Sequence, residues 1–129
     1  MDVKKDFVAG CLFCKIVAGE IPSKAVYQDE DVYAFQDIHP QAKYHILLIP
    51  RHHSADSLND LDMDNAHILP KIFAAARAIA RDLGIDQRGY RLVTNTGLEA
   101  GQSVFHLHFH LLGGSQLGLF GAPGASTSD

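Results

Sequence analysis

Three histidines alternate with apolar residues near the C-terminal end of the chain. His106, His108 and His110 are each followed by an apolar residue. Successive side chains of a strand point to opposite faces, so a strand here would place all three imidazoles on one face and the apolar residues towards the core. A half-exposed strand needs only polar residues at such positions. Three histidines in register therefore favour a chemical role.

Two kinds of chemistry suit this face. Two histidines spaced i, i+2 on a strand can chelate zinc. Alternatively, a neutral imidazole, with an ordinary pKa of about 6.5, can attack an electrophile and form a covalent intermediate. Neighbouring histidines and backbone N–H groups would then stabilise the charge of a phosphate. The loop Gly101-Gln102-Ser103 precedes the histidines and supplies such groups, which favours attack on phosphorus by His108.

A second candidate site is the pair Cys11 and Cys14. The C-x-x-C spacing is typical of half of a tetrahedral zinc site. A redox function would require a strand before the first cysteine, and none is indicated. The pair could also be two inert, buried hydrophobic residues. Because no signal peptide is visible, we expect the thiols to stay reduced in the cytoplasm.

Composition sets the class of protein. The chain has 129 residues, of which 47% are hydrophobic and 20% charged, which is typical of one globular domain. Its formal net charge of −4 argues against a nucleic-acid partner, which would require a basic surface. No apolar run approaches the roughly 18 residues of a transmembrane helix, so no membrane association is expected.

The hydrophobic periodicity predicts an α+β fold with a mostly antiparallel sheet of about five strands. A short helix over residues 11–18 and a long helix carrying an apolar stripe from Leu69 to Leu83 complete it. Asp62 or Asp64 is expected to cap the long helix and Gly84 to end it. The predicted strands cover residues 25–28, 32–37, 45–49, 89–95 and 104–112.

Several segments together resemble the histidine triad (HIT) family, in its nucleotide-binding branch of purine nucleoside phosphoramidases. They are Ile21-Pro22, Phe35 to Ile38, Pro40 to Ala42, His45 to Pro50 and Gly101 to Leu112. The resemblance implies a HIT-like fold over residues 11–114, preceded by an N-terminal extension (1–10) and followed by a flexible tail (115–129). It also implies a homodimer.

The resemblance implies a role for each site residue. His108 would be the nucleophile, with His110, Ser103 and Asn95 around the phosphate and Asp37 accepting hydrogen bonds from the ribose hydroxyls. His45 would position these residues without contacting the substrate itself. Gly101 and Gln102 would join Ser103 in holding the nucleotide. The base pocket would consist of Leu12, Phe13, Ile16, Phe35 and Ile38. From the residues alone, these apolar side chains could equally be core, and Asp37 a turn former.

The family pattern also implies a structural zinc site, completed by two histidines. Its ligands would be Cys11, Cys14, His53 and His106, with His52 as the alternative third ligand. The implied substrate is a purine nucleotide conjugate such as an AMP-amine, hydrolysed through a nucleotidyl-histidine. Two alternatives are a regulatory nucleotide-binding module with incidental hydrolysis and a dinucleoside polyphosphate hydrolase. The dinucleoside polyphosphate hydrolase branch would have glutamine in place of Asn95 and would lack the two cysteines.

Overall fold

A computed structural model describes residues 7–121. Five strands form one antiparallel sheet in the order β1-β2-β3-β5-β4, so β4 lies at one edge. Two α-helices accompany the sheet, as expected for the α+β class. The strands are β1 (Ala25–Gln28), β2 (Val32–Gln36), β3 (Tyr44–Pro50), β4 (Tyr90–Val93) and β5 (Phe109–Gly113), and the helices are α1 (Leu12–Val17) and α2 (Ile68–Asp82).

Both faces of the central strands are buried. Along β3, Ile46 and Leu48 belong to the core beneath α2, whereas Leu47 and Ile49 belong to a second core that includes residues of α1. This explains the continuous apolar run in the sequence, because a strand covered on both faces has no polar alternation. The sheet therefore holds α1 on the face opposite to α2.

The long helix begins later than its predicted caps. The residue before α2 is His67, whose side chain makes no capping hydrogen bond. Asp62 instead accepts the N–H groups of Asp64 and Asn65 and so caps the preceding turn. The predicted end is confirmed: Gly84 has φ +75°, a left-handed conformation that suits glycine.

The prediction of a strand over residues 104–112 is wrong in its first half, because β5 starts only at Phe109. Phe109 pairs with Leu48, and continuation of this register would place Leu107 opposite Pro50. Proline has no N–H group to donate to the ladder. Leu107 instead donates its N–H to the carbonyl of Ala55 at 3.0 Å. His106 and His108 therefore precede the strand.

The expected N-terminal extension and tail lie partly outside the described residues. Of the tail, residues 115–121 are described, and there Arg91 donates to the carbonyl of Gly118 and lies over the ring of Phe120. Among the described residues, no helix combines the length and the apolar character needed to cross a membrane.

Candidate active site

His108 lies in the wall of a cavity of about 900 Å³. Its Nδ1 is 2.8 Å from the carbonyl oxygen of His106. A carbonyl only accepts, so Nδ1 carries the proton and Nε2 keeps its lone pair. Burial, including edge-on contact with Phe13 at 5.1 Å between ring centroids, lowers the pKa of His108. At neutral pH the ring is therefore uncharged and nucleophilic at Nε2.

A chain of hydrogen bonds sets the tautomer of His110. The backbone N–H of Gln41 donates to Nδ1 of His45 at 3.1 Å, so the proton of His45 is on Nε2. That Nε2 lies 2.9 Å from Nδ1 of His110 and donates to it. His110 therefore carries its own proton on Nε2, as a donor. Burial lowers the pKa of His110 to about 4, and this ring is also neutral at pH 7.

Asp37 is both a turn former and part of the cavity wall. Its Oδ1 accepts the N–H of His39 at 2.8 Å, and its Oδ2 lies 3.4 Å from Nε2 of His45. The ligand atoms of Asp37, His45 and His110 lie within 4.8 Å of one another. A metal does not suit this trio, because the proton of His45 occupies the nitrogen that would have to bind it.

The loop before the triad provides the polar part of the cavity. Asn95, Gly101 and Ser103 all line it. Gly101 has φ +91° and follows the short 3-10 helix Leu98–Ala100. A side chain would be strained in that backbone conformation. The loop can therefore bring backbone N–H groups and a hydroxyl towards a bound anion.

Gln102 is the predicted nucleotide contact that does not line the cavity. Its side chain is buried and turned the other way. The amide donates to the carbonyl oxygens of Asp56 and Val104 and accepts the N–H of Gly97. The residue alternation within the loop explains this, since Gly101 and Ser103 on either side of it line the cavity.

The two cysteines and two of the histidines form a separate cluster. Nδ1 of His106 lies 3.4 Å from Sγ of Cys11 and 3.6 Å from Sγ of Cys14. Nδ1 of His53 lies 3.3 Å from Sγ of Cys14. All four ligand atoms are within 4.8 Å of one another, and this cluster can hold a metal ion. His53, rather than the neighbouring His52, occupies the third position.

The surroundings of the cluster suit a metal. Nε2 of His106 donates to the carbonyl of Pro50 at 2.9 Å, and Nε2 of His53 to Oδ1 of Asp56 at 2.6 Å. Both Nδ1 atoms therefore present lone pairs to the cysteines, as metal ligands require. Burial and the neighbouring Cys11 raise the pKa of Cys14 to about 11, so a thiolate here needs a compensating positive charge.

A model of the HIT domain family matches residues 18–117. The chain belongs to the HIT family. It is 47% identical over 107 residues to the purine nucleoside phosphoramidase of Escherichia coli strain K12. The aligned residues cover 83% of this chain and 89% of the relative.

Two solved structures resemble this HIT protein. A HIT family hydrolase from Clostridium thermocellum superposes with a TM-score of 0.85 at 48% identity, covering 89% of this chain and 99% of that one. A histidine triad nucleotide-binding protein from Candida albicans has a TM-score of 0.77 at 35% identity, covering 92% and 87%. The expected fold and the hydrolase class are thus confirmed.

The histidines of the HIT triad do not converge on one point, which disfavours the alternative of zinc chelated at the triad itself. His106 faces the cysteines, His108 the carbonyl of His106, and His110 the ring of His45. The expected alternation nevertheless holds, because Leu107, Phe109 and Leu111 belong to the core beneath α2.

The predicted apolar wall lies around the same cavity. Phe13, Ile16 and Phe35 are buried, whereas Leu12 and Ile38 are 43% and 85% exposed and form its mouth. Several other residues also line the cavity, although residue type and spacing predicted no role for them in the site. They are Ile21, Pro22, Ser23, Lys24, Gln36, His39, Gln41, Leu47 and Val104.

Asp56 is the functional candidate that a sequence signal could have revealed. It follows His53 by three residues, a spacing at which a carboxylate reaches a ligand imidazole. Metal-binding histidines commonly donate their other N–H to such a group. The carbonyl of Pro50 and the N–H of Gln41, by contrast, are backbone atoms and leave no trace in residue type.

Proposed function

We propose that this HIT protein hydrolyses the P–N bond of purine nucleoside phosphoramidates, such as AMP-amines, through a nucleotidyl-His108 intermediate. The observation that carries the proposal is the tautomer of His108, whose Nδ1–H is held by a carbonyl in the wall of the cavity. The 47% identity to an enzyme named purine nucleoside phosphoramidase supports the choice of substrate class.

In the first step, the lone pair of Nε2 of His108 attacks the α-phosphorus. The P–Nε2 bond forms as the P–N bond breaks, and the amine leaves with a proton taken from water. The imidazole becomes positively charged, and the carbonyl of His106, 2.8 Å from Nδ1, stabilises that charge through the N–H it accepts. In the second step, the hydroxide left by that water attacks phosphorus and the P–Nε2 bond breaks, which releases the nucleoside monophosphate and restores neutral His108.

The neighbouring groups stabilise the charge that develops on the phosphoryl oxygens. His110 offers Nε2–H because His45 supplies the hydrogen bond at its Nδ1. Ser103, Asn95 and the loop at Gly101, which line the same cavity, add further donors. Donors that are fixed before the reaction act without reorganisation, which is the largest contribution in many enzymes.

The nucleoside is placed by the remaining cavity walls. Oδ2 of Asp37 and the free lone pairs of its Oδ1 accept hydrogen bonds from the ribose hydroxyls, since a carboxylate is an acceptor only. The base packs against Leu12, Phe13, Ile16, Phe35 and Ile38, which all line the cavity. An apolar wall of this kind holds the flat base through burial of its surface.

The Cys/His cluster would hold zinc. Two cysteine thiolates and two imidazoles are a typical structural ligand set, which leaves no open position for substrate. Bound there, zinc would supply a cross-link between α1 and the segment before β5. His106 would then act as a metal ligand, and the chemistry would be left to His108 and His110.

We further propose a homodimer in the cytoplasm. β4 is an edge strand, and α2 packs mainly across β3, β1 and β2. A second copy of the chain can therefore pair with the sheet at β4. Twofold pairing is the commonest assembly of soluble proteins. The two free thiols suit a reducing compartment, and the net charge of −4 gives no basis for a nucleic-acid partner.

Parallel turnover of two substrates tests the proposal. The purified protein is incubated with an adenosine 5′-phosphoramidate of a simple amine and, separately, with a diadenosine polyphosphate. We expect faster release of AMP from the phosphoramidate. Preference for the polyphosphate would assign the protein to the other enzymatic branch, and tight AMP binding without turnover would make it a binding module.

A further inference from the structure

The side chain of Gln102 connects three backbone segments. It is 4% exposed, and its Nε2 lies 2.8 Å from the carbonyl of Asp56 and 3.1 Å from that of Val104. Its Oε1 accepts the N–H of Gly97 at 2.9 Å. Two carbonyls need donors and an N–H needs an acceptor, so the orientation of the amide is fixed. Such a group is costly to bury unless all its partners are present.

Two hydrogen bonds between Gln102 and Gly97 close the Gly97–Ser103 loop. The backbone N–H of Gln102 donates to the carbonyl of Gly97 at 3.1 Å, while the side chain of Gln102 accepts in the reverse direction. This reciprocal pair encloses Leu98 to Gly101. Gly101 and Ser103, the immediate neighbours of Gln102, line the cavity, so a displacement of Gln102 would move both of them.

The same side chain leads to the Cys/His cluster. Asp56, whose carbonyl accepts from Gln102, uses its carboxylate to accept Nε2–H of His53 at 2.6 Å. His53 is one of the four residues of the cluster. A series of hydrogen bonds therefore joins the cluster to the loop through Asp56 and Gln102, neither of which lines the cavity.

We infer that Gln102 is a positioning residue, which holds the Gly97–Ser103 loop in its catalytic shape and couples that shape, through Asp56 and His53, to metal in the Cys/His cluster. The catalytic half of this inference rests on the proposed function. The coupling half concerns only the loop and the metal, and it can be measured without substrate.

The test uses Gln102→Met, which keeps the length of the side chain and removes all three of its side-chain hydrogen bonds. The matched control is Gln116→Met, at an exposed glutamine whose side chain donates to the carbonyl of its neighbour Leu117. Amide hydrogen exchange at Gly97 and Gln102 is followed by NMR in the zinc-loaded protein and after removal of the metal by a chelator. Steady-state kinetics with the adenosine phosphoramidate follow on the loaded proteins.

We expect exchange at both amides to rise about tenfold or more in Gln102→Met, since local opening replaces lost hydrogen bonds. Metal removal is expected to accelerate the same amides in the wild type and in Gln116→Met, with no further effect in Gln102→Met. The value of kcat is expected to fall about 10- to 100-fold, with KM changed by less than about threefold.

Unchanged exchange in Gln102→Met would overturn the inference, and so would an equal response to metal removal in all three proteins. If the wild type turns over no phosphoramidate, the proposed function fails while the exchange data still decide the coupling. If Gln102→Met does not fold, Gln102→Glu replaces it. Glutamate keeps the acceptor for Gly97 and loses both donors, so it is expected to abolish the response to metal while Gly97 stays protected.

Discussion

Each histidine of the site has its reactive nitrogen chosen by what the other nitrogen touches. The carbonyl of His106 leaves His108 with a lone pair at Nε2, whereas His45 leaves His110 with a proton at Nε2. Two residues of the same type thereby become a nucleophile and a donor. Residue type and spacing indicated the triad, but these partners are backbone atoms or distant in sequence, so the division of roles could not be read from the sequence.

Replacement of Asp37 is expected to weaken binding more than it slows chemistry. In Asp37→Asn, Oδ1 still accepts the N–H of His39, so the turn is kept, but one acceptor for the ribose is lost. Hydrogen bonds to charged groups contribute about 1.5–3 kcal/mol, and ribose contacts are similar in ground and transition states. KM is therefore expected to rise about 10- to 100-fold with kcat within about threefold.

Steady-state kinetics with an adenosine phosphoramidate measure this split. Asp86→Asn, at an exposed carboxylate that does not line the cavity, is the control and is expected to behave as wild type. A loss confined to kcat, with KM unchanged, would contradict the assignment of Asp37 to the ribose.

The depressed pKa values predict loss of stability in mild acid. Burial lowers the pKa of His110 from 6.5 to about 4 and lowers that of His45 as well. Between these pH values the unfolded chain binds protons that the folded protein does not. The free energy of unfolding therefore rises with pH across this window and falls as pH drops from about 6.5 towards 4.

Urea denaturation at a series of pH values measures this dependence. His110→Asn removes one of the buried histidines with a lowered pKa and is expected to flatten the slope between pH 6.5 and 4, whatever its effect on the absolute stability. Gln116→Met, at an exposed residue without a titratable group, is expected to leave the slope unchanged. Equal slopes for wild type and His110→Asn would contradict burial of a neutral His110.

At the scale of elements, α1 is a helix of only 6 residues that carries both a wall of the cavity and half of the Cys/His cluster. Isolated helices of this length are not stable in water. Its order therefore depends on contacts with the sheet, through Phe13 and Ile16, and on the link from its cysteines to His53 and His106.

Metal removal is consequently expected to loosen α1. Protein purified without chelator should contain about one zinc per chain, and a chelator should lower the melting temperature and speed hydrogen exchange across α1. Zinc binding should also release protons, because the thiol of Cys14 has its pKa raised to about 11 in the absence of metal.

The double variant Cys11→Ser/Cys14→Ser provides the control. It should bind no zinc, and a chelator should not change its melting temperature. Wild-type protein that is purified free of metal, with two titratable thiols and a melting temperature insensitive to added zinc, would contradict a structural zinc site.

Periodicity predicted most elements, and the errors have identifiable physical causes. The apolar stripe of α2 and the apolar run of β3 are long. The hydrophobic pattern therefore predicts both elements, whatever the helix or strand propensity of single residues. The start of β5 was misplaced because Pro50, on a different strand, ends the ladder. The direction of the Gln102 side chain could not be predicted, because residue type alone does not tell whether an amide in a loop faces a ligand or hydrogen-bonds to the protein.

At the scale of the whole molecule, no strand of the described residues pairs with the outer edge of β4. β4 lies at the edge, and Phe73 on α2 is 50% exposed while its ring lies edge-on to Phe109 of β5 at 6.1 Å. An edge strand beside an exposed apolar side chain is a typical pairing surface.

We expect a particle of about 28 kDa, twice the chain mass of 14.1 kDa, in multi-angle light scattering at micromolar concentration. Phe73→Glu should shift the mass towards the monomer, because it would bury a charge in the interface. Met63→Glu, at a residue that is 96% exposed, should remain dimeric. A wild-type mass equal to that of one chain would contradict the dimer.

The proposed mechanism requires His108 to form a covalent bond to phosphorus. Replacement by alanine is expected to lower kcat by on the order of 10³-fold or more while AMP still binds, because its ribose and base contacts lie elsewhere in the cavity. Such a loss shows that the residue is essential, but it does not identify the chemical step.

Stereochemistry at phosphorus distinguishes the two routes most directly. A P-chiral adenosine phosphorothioamidate is hydrolysed in ¹⁸O-labelled water, and the configuration of the product is determined by ³¹P NMR. Two successive in-line displacements, first by Nε2 of His108 and then by water, predict overall retention. Inversion would mean a single direct attack by water, and it would contradict the nucleophilic role of His108.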